Sequence, residues 1–153
     1  MSLDELYREI ILDHYKNPRN RGRIPDPSAT AGAYNPLCGD EVDLYLRIED
    51  ERIVDIRFEG RGCSISQSSA SMLTEAVKNK TLAEAEALVD EVRGMLLGER
   101  EPAPDLGDLE ALQGVKKFPV RIKCAILSWN TLKDALAGYR AGISRGEVKV
   151  VTE

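Results

Sequence analysis

The feature that most constrains the fold is a pair of alternating stretches on either side of a short polar turn. Apolar residues occupy every second position, at Val42, Leu44, Leu46 and Ile48 and again at Val54, Ile56 and Phe58. Such alternation is typical of strands with one buried side and one side that faces solvent. Residues 49–52 leave room for only a tight turn, so we expect an antiparallel hairpin. Residues 29–34 indicate a further short strand, which we expect at an edge of the sheet.

Metal-binding side chains lie at both ends of this predicted hairpin. Cys38 and Asp40 precede the first strand, and Cys63 follows the second strand. Because a hairpin brings its outer ends together, we expect these three side chains to meet at one edge of the sheet. Cys124, near the start of the last predicted helix, could join them. Three thiolates and one carboxylate suit either tetrahedral zinc or a sulfur-bridged iron cluster, and the residues alone leave both open.

Helical patterns account for most of the remaining chain. We predict helices over residues 2–17, 63–79 and 81–98, short helical turns over 108–113, and a long last helix that begins at Phe118 and Pro119. Ser2 with Glu5, and Thr81 with Glu84, have the spacing of capping boxes. Residues 148–151 could pair as a strand. The expected fold class is therefore α+β, with a small antiparallel sheet of about three strands and helices packed on one face.

The composition narrows the class of protein and its compartment. The chain has 153 residues, enough for one compact domain, and we find no linker or internal repeat. A net charge of −5 argues against a nucleic-acid partner. No apolar run approaches the roughly 18 residues that a membrane helix requires. The first residues show no secretion signal, and three cysteines fit a disulfide framework poorly, so we expect a cytoplasmic protein.

Other interpretations of the cysteines are less favoured by their positions. Scattered cysteines are often small buried hydrophobic residues, but convergence at the ends of one hairpin argues against that. No CxxC pair supports a small zinc knuckle. A cysteine–histidine nucleophile would need His14, the only histidine, which we expect to be packed on the apolar side of the first helix. Arg121 and Lys123 flank Cys124, and we expect their charges to favour its thiolate.

Five stretches of the chain carry a family resemblance. They are residues 13–20, 35–40, 62–66, 106–115 and 118–125, which include Asn-Pro-Leu-Cys-Gly-Asp, Gly-Cys-Ser-Ile-Ser and Arg-Ile-Lys-Cys-Ala. In order and spacing the chain resembles the iron–sulfur assembly scaffold family of IscU and the amino-terminal part of NifU, most closely its SufU branch. Lys123 stands where IscU proteins carry a histidine, and residues 94–114 resemble a SufU insertion. The resemblance covers residues 3–138. We take residues 1–138 as a single domain of SufE/NifU/IscU-like fold and residues 139–153 as a C-terminal extension.

The resemblance implies a function in iron–sulfur cluster biogenesis. A SufU-like protein would bind zinc through Cys38, Asp40, Cys63 and Cys124 and accept sulfur from a pyridoxal-phosphate cysteine desulfurase of the SufS type. Cys38 is the expected sulfur acceptor because its Gly-flanked turn can open, and Cys124 is the second candidate. Arg121 and Lys123 are expected to contact the partner.

The alternative is a scaffold on which the same cysteines assemble a [2Fe–2S] cluster and transfer it to apoproteins. In either case downstream assembly proteins would be partners. Whether the protein is a sulfurtransferase-like carrier or a non-enzymatic scaffold is left open by the sequence.

Overall fold

The predicted hairpin forms the centre of the sheet. The computed structural model describes residues 2–142 and the backbone of residues 145–150. Strands β1 (Ala29–Asn35), β2 (Asp40–Glu49) and β3 (Arg52–Arg61) are antiparallel neighbours, as predicted. The turn is tighter than expected, since Glu49 already pairs with Arg52. Asp50 and Glu51 between them both have positive φ angles, of 50° and 61°, which a two-residue type I′ turn requires.

The predicted alternation is correct in β2 and shifts in β3. Every second residue of β2 from Val42 to Ile48 is buried, and Tyr45 and Arg47 between them are half-buried. In β3 the buried residue near the turn is Ile53 rather than Val54. The pairing skips Val54 between two consecutive pairs, so a β-bulge moves the alternation by one residue.

A fourth strand changes the predicted place of β1. Strand β4 (Arg145–Val150) lies parallel to β1, and the strand order is β3-β2-β1-β4. β1 is therefore interior, and its prediction as an edge strand was wrong. The predicted strand over 148–151 overlaps β4, although residue 151 lies outside the described residues. Residues 143–144 and 151–153 of the predicted C-terminal extension also lie outside them, and a domain boundary at residue 138 stays a prediction.

Among the described residues, four α-helices and one 3-10 segment accompany the sheet. They are α1 (Leu3–Lys16), α2 (Ser64–Val77), α3 (Leu82–Leu96), the 3-10 segment Gly107–Lys117 and α4 (Pro119–Arg140). Thr81 and Glu84 form the predicted reciprocal capping box, whereas Ser2 accepts a hydrogen bond from the Glu5 amide without a return bond. No helix in the described part of the chain has both the length and the hydropathy needed to cross a bilayer.

The core lies between one face of the sheet and the helices. Its largest fully buried side chains include Phe58 and Leu44 from the strands and Trp129 and Leu73 from the helices. Trp129 donates a hydrogen bond to the Ser69 hydroxyl at 3.0 Å, which in turn donates to the Ala125 carbonyl at 2.6 Å. These bonds join α2 to α4 in the turn after Cys124. They therefore fix the position of Cys124, in α4, relative to α2.

His14 is packed in the core, as expected. Its side chain is fully buried, and its two ring nitrogens lie 2.9 Å from Ser71 Oγ and 2.9 Å from Asp108 Oδ2. The histidine thereby joins α1 to α2 and to the 3-10 segment that belongs to the predicted insertion. Its role in the described structure is to fix three elements together.

Candidate metal and sulfur-transfer site

The four predicted site residues come from four different elements. Cys38 lies in the turn between β1 and β2, and Asp40 is the first residue of β2. Cys63 is the N-cap residue of α2, and Cys124 lies in the second turn of α4. The hairpin brings Glu41 opposite Arg61 at this end of the sheet, which puts the turn with Cys38 next to the start of α2.

Local hydrogen bonds shape the turn that holds Cys38. The amides of Cys38 and Gly39 donate to the Asn35 carbonyl at 3.3 and 2.8 Å, and the Leu37 amide donates to Asn35 Oδ1 at 3.0 Å. Gly39 has a φ of +73°, a conformation that favours glycine. The turn leaves Cys38 exposed, while Cys63 is half-buried and Cys124 is 2% exposed.

The side chains of these residues meet in one cluster. The ligand atoms of Cys38, Asp40 and Cys124 all lie within 4.8 Å of one another. Cys63 Sγ lies 3.9 Å from Asp40 Oδ2. The expected convergence of the four side chains is therefore present in the structure, whereas their assignment as metal ligands stays a prediction.

Asp40 is a buried carboxylate without a basic partner. Its side chain is 0% exposed, and Oδ1 accepts hydrogen bonds from the Cys63 amide at 3.0 Å and the Ser66 hydroxyl at 3.2 Å. Within the part of the chain that the structure describes, no lysine, arginine or histidine forms an ion pair with it. Buried charges in proteins are ordinarily paired or bind a metal, so this carboxylate favours a cation beside it.

The donor set fits a tetrahedral cation. Zinc–sulfur bonds of about 2.3 Å put neighbouring ligand atoms about 3.8 Å apart in a tetrahedron. The ligand atoms of Cys38, Asp40 and Cys124, which lie within 4.8 Å of one another, are slightly farther apart than this. Side-chain movements of about an ångström would bring them to the tetrahedral distance. Thiolates are donors that a soft or borderline metal prefers, and zinc also accepts a carboxylate oxygen.

Cys63 has a second role as a helix cap. Its sulfur accepts a hydrogen bond from the Ser66 amide at 3.4 Å, in the place where serine or aspartate usually caps a helix. The predicted position of Cys63 at the start of α2 is therefore confirmed. The start of a helix carries partial positive charge, which suits a site built from anionic ligands.

The thiol of Cys124 is harder to ionise than its charged neighbours in the sequence predict. Burial, then the hydrogen bond with Asp40 and the charge of Cys63, raises the pKa of the Cys124 thiol well above its usual range. Lys123 points into solvent and does not offset this burial. Arg121, in contrast, lies next to the sulfurs. Its hydrogen bond with Cys124 and the charges of Cys63 and Cys124 raise the pKa of its guanidinium. In the metal-free protein the prediction of a favoured Cys124 thiolate is therefore wrong.

Exposed apolar side chains lie beside the cluster. Leu37, Phe118 and Val120 are 71%, 58% and 72% exposed, and they line the same surface pocket as Cys38 and Cys124. Exposed side chains of this size, next to an accessible cysteine, are typical of a protein contact surface.

A second group of possible ligands is better explained as a structural contact. His14, Glu75 and Asp108 also come close together. Both ring nitrogens of His14 are engaged by Ser71 and Asp108, and Glu75 lies 3.8 Å from the Arg19 guanidinium. These contacts occupy the donor atoms that a metal would need.

Sequence reasoning missed two residues beside Asp40, namely Ser66 and Gln67. Ser66 is the third residue of α2, and Gln67 donates to its hydroxyl at 3.1 Å. The signal was available, because a side chain three residues after an N-cap lies over the start of its helix.

The chain is similar in sequence to known proteins. The NifU-like N terminal domain family matches residues 6–145. The "zinc-dependent sulfurtransferase SufU" of Bacillus subtilis (strain 168) is 48% identical over 142 residues, which cover 92% of this chain and 96% of that protein. The "iron-sulfur cluster assembly scaffold protein IscU" of Streptococcus pyogenes serotype M1 is 44% identical over 135 residues, with 88% and 84% covered.

A solved structure agrees with the fold. The N-terminal part of a nitrogen-fixing NifU-like protein from Brucella abortus matches with a TM-score of 0.81 at 25% identity, over 91% of this chain and 97% of that one. Together with the expected α+β architecture, these matches confirm the resemblance predicted from the sequence. The chain belongs to the NifU-like N-terminal domain family, as a SufU-type relative of the IscU scaffolds.

Proposed function

We propose that this protein is a zinc-binding sulfur acceptor in iron–sulfur cluster assembly. It would take persulfide sulfur from a pyridoxal-phosphate cysteine desulfurase of the SufS type and pass it to downstream assembly proteins or apoproteins. The observation that carries the proposal is the cluster of three thiols around a buried carboxylate, next to exposed apolar side chains; within the described residues this carboxylate forms no ion pair. The similarity to a relative named a zinc-dependent sulfurtransferase supports it further.

Cys38, Asp40, Cys63 and Cys124 would hold the zinc. When bound, zinc would keep the thiols deprotonated at neutral pH and restrain their reactivity. This matters most for Cys124, whose thiol is otherwise held protonated by burial and by its negative neighbours. Arg121 would add positive charge beside the sulfurs.

Cys38 is the proposed acceptor because it is the exposed thiol of the three. Its thiolate would attack the outer sulfur of the desulfurase persulfide. A new sulfur–sulfur bond forms on Cys38 while the bond between the two sulfurs of the enzyme persulfide breaks, and the electron pair returns to the enzyme cysteine as a thiolate. No net oxidation or reduction occurs. Cys124 is the second candidate, although its burial limits direct attack.

The desulfurase would dock on the surface around Cys38. Leu37, Phe118 and Val120 supply exposed apolar contacts, and the exposed Arg121 and Lys123 supply positive charge for an acidic partner surface. We also propose that the protein acts in the cytosol. Its three cysteines are free thiols, and the proposed transfer needs thiolates, which a reducing compartment preserves.

A second candidate function is a scaffold for a [2Fe–2S] cluster. It is favoured by the similarity to a relative named as an iron–sulfur cluster assembly scaffold, and cysteine thiolates are the ligands that such clusters require. In that case the protein would be a non-enzymatic carrier of the cluster rather than of sulfur.

Metal and acid-labile sulfide analysis of protein purified without oxygen separates the two functions. The sulfur-acceptor proposal expects about one zinc per chain and no sulfide. Iron and sulfide in equal amounts, lost on replacing any of the three cysteines, would establish the scaffold instead.

A desulfurase assay then tests the role of Cys38. Cys38→Ser should abolish stimulation of the desulfurase, and Pro36→Ala, at an exposed position in the same turn, should retain it. Mass spectrometry should find one added sulfur atom on Cys38 of the wild-type protein. Added sulfur on Cys124 in the Cys38→Ser variant, with stimulation intact, would overturn the assignment.

A further inference from the structure

We propose that Ser66, held by Gln67, is a positioning residue that leaves only one oxygen of Asp40 free for the metal. The inference rests on the proposed zinc site and adds a residue to it that donates no metal ligand. It is drawn from hydrogen bonds that surround the Asp40 carboxylate in the described structure.

The two oxygens of Asp40 have unequal surroundings. Oδ1 accepts from the Cys63 amide at 3.0 Å and from Ser66 Oγ at 3.2 Å. A carboxylate oxygen has two lone-pair directions, so these two donors use the capacity of Oδ1. Oδ2 lies toward the sulfur of Cys63, at 3.9 Å. The carboxylate is thus oriented to coordinate through Oδ2 alone.

Ser66 is itself held in place by its neighbour. Its side chain is fully buried, and its oxygen accepts a hydrogen bond from Gln67 Nε2 at 3.1 Å. Its oxygen lies 3.2 Å from both Asp40 Oδ1 and the Cys63 carbonyl oxygen, so its one hydroxyl proton serves these two acceptors. Gln67 also donates to the Glu41 carbonyl at 3.4 Å, next to Asp40 in the chain. The pair therefore connects the start of α2 with the start of β2.

This arrangement has a consequence for metal affinity. With Oδ1 held, Asp40 enters the site as a single-oxygen ligand in a fixed direction, which suits four-coordinate geometry. Without the Ser66 hydroxyl only the Cys63 amide holds Oδ1, so the carboxylate can rotate more freely about its last bond and its direction is less well fixed. Loss of such an outer hydrogen bond typically lowers metal affinity 10- to 100-fold.

Zinc affinity, measured by competition with a chromophoric chelator, tests the proposal on the full chain. Ser66→Ala should weaken zinc binding by about 10- to 100-fold. Ser68→Ala is the matched control, because Ser68 is equally buried in the same helix and donates to the Ile65 carbonyl rather than to the site. Equal affinities of the two variants would overturn the inference. Wild-type protein that binds no zinc would overturn the proposed function as well, so the two failures are distinct.

A second background separates positioning from a general effect on the helix. Combined with Asp40→Ala, the Ser66→Ala change should alter zinc affinity by less than about twofold, because the group through which it acts is gone. A full additional loss in that background would show that Ser66 acts on the helix instead. Cobalt substituted for zinc should show altered visible bands in Ser66→Ala and unaltered bands in Ser68→Ala.

Gln67→Met offers an independent variant if Ser66→Ala does not fold. Methionine has a similar volume and cannot donate to Ser66, so zinc affinity should fall in the same direction by a smaller factor. An affinity equal to that of the wild type would contradict the role given to Gln67.

Discussion

Replacing Gly62 by alanine should disrupt both the fold and the site, by an amount that the structure allows us to work out. Gly62 has a φ of +145°, and a Cβ atom there would lie 2.3 Å from Asp40 Oδ1 and 2.9 Å from Ser66 Oγ. Ordinary contact begins near 3.4 Å, so Oδ1 must retreat by about 1.1 Å. The hydrogen bond from the Cys63 amide, now 3.0 Å, would then be lost.

Two energies add in this variant. The backbone conformation costs an alanine about 1–3 kcal/mol. Loss of a hydrogen bond to a charged group costs about 1.5–3 kcal/mol. We therefore expect Gly62→Ala to lower the free energy of unfolding by about 2.5–6 kcal/mol and to weaken zinc binding by at least about tenfold.

Gly22→Ala is the matched control for the backbone cost. Gly22 has a similar φ of +132°, and a Cβ atom there meets nothing within 4 Å. Urea unfolding of the metal-free proteins should give a loss of about 1–3 kcal/mol for Gly22→Ala, and chelator competition should give an unchanged zinc affinity. Equal losses of stability and equal zinc affinities in both variants would refute the reasoning about the Asp40 contact.

Two further predictions concern ionisation. After zinc removal, iodoacetamide at pH 8 should alkylate Cys38 at least about tenfold faster than Cys124, because burial and neighbouring groups raise the pKa of the Cys124 thiol. Equal rates in the folded protein would contradict this prediction. The control is the denatured protein, in which the two rates should be equal. Hydrogen bonds from the Thr81 amide and hydroxyl lower the pKa of Glu84, so its contribution to stability is present above the carboxyl's ordinary pKa of 4.5 and is lost as pH falls through its lower folded value. The melting temperature of Glu84→Gln, followed by circular dichroism, should therefore fall less between pH 6 and pH 3 than that of the wild type. An equal fall in both proteins would contradict the stabilising role of the Glu84 carboxylate in the cap.

The parts of the fold that the sequence predicts well depend on neighbours along the chain. The hairpin, the helix starts at Thr81 and Pro119, and the approach of Cys38 to Cys63 all follow from patterns within about 25 residues. The bulge at Val54 was missed because it depends on pairing across the turn rather than on apolar spacing.

Long-range contacts explain the remaining errors. β1 appeared to be an edge strand because its other partner, β4, lies more than 100 residues away and carries a weak pattern. The pKa of Cys124 was expected to fall because Arg121 and Lys123 adjoin it in sequence. Its burial under the turn of β1 and β2, and the negative charge of Asp40, are visible only in three dimensions. The role of Ser66 likewise depends on the position of Asp40, 26 residues earlier.

The three thiols are anchored unequally, so they differ in how far each sulfur can move without disturbing a helix. Cys63 caps α2 and Cys124 lies within α4, so moving either sulfur disturbs a helix. Cys38 lies in a four-residue turn between Asn35 and Asp40, which are buried and paired in register. Opening and closing of such a turn takes nanoseconds to microseconds. Cys38 can therefore move out of the cluster and return without refolding, so under the proposed function the lifetime of the complex with the partner, rather than the motion of this turn, would limit each transfer.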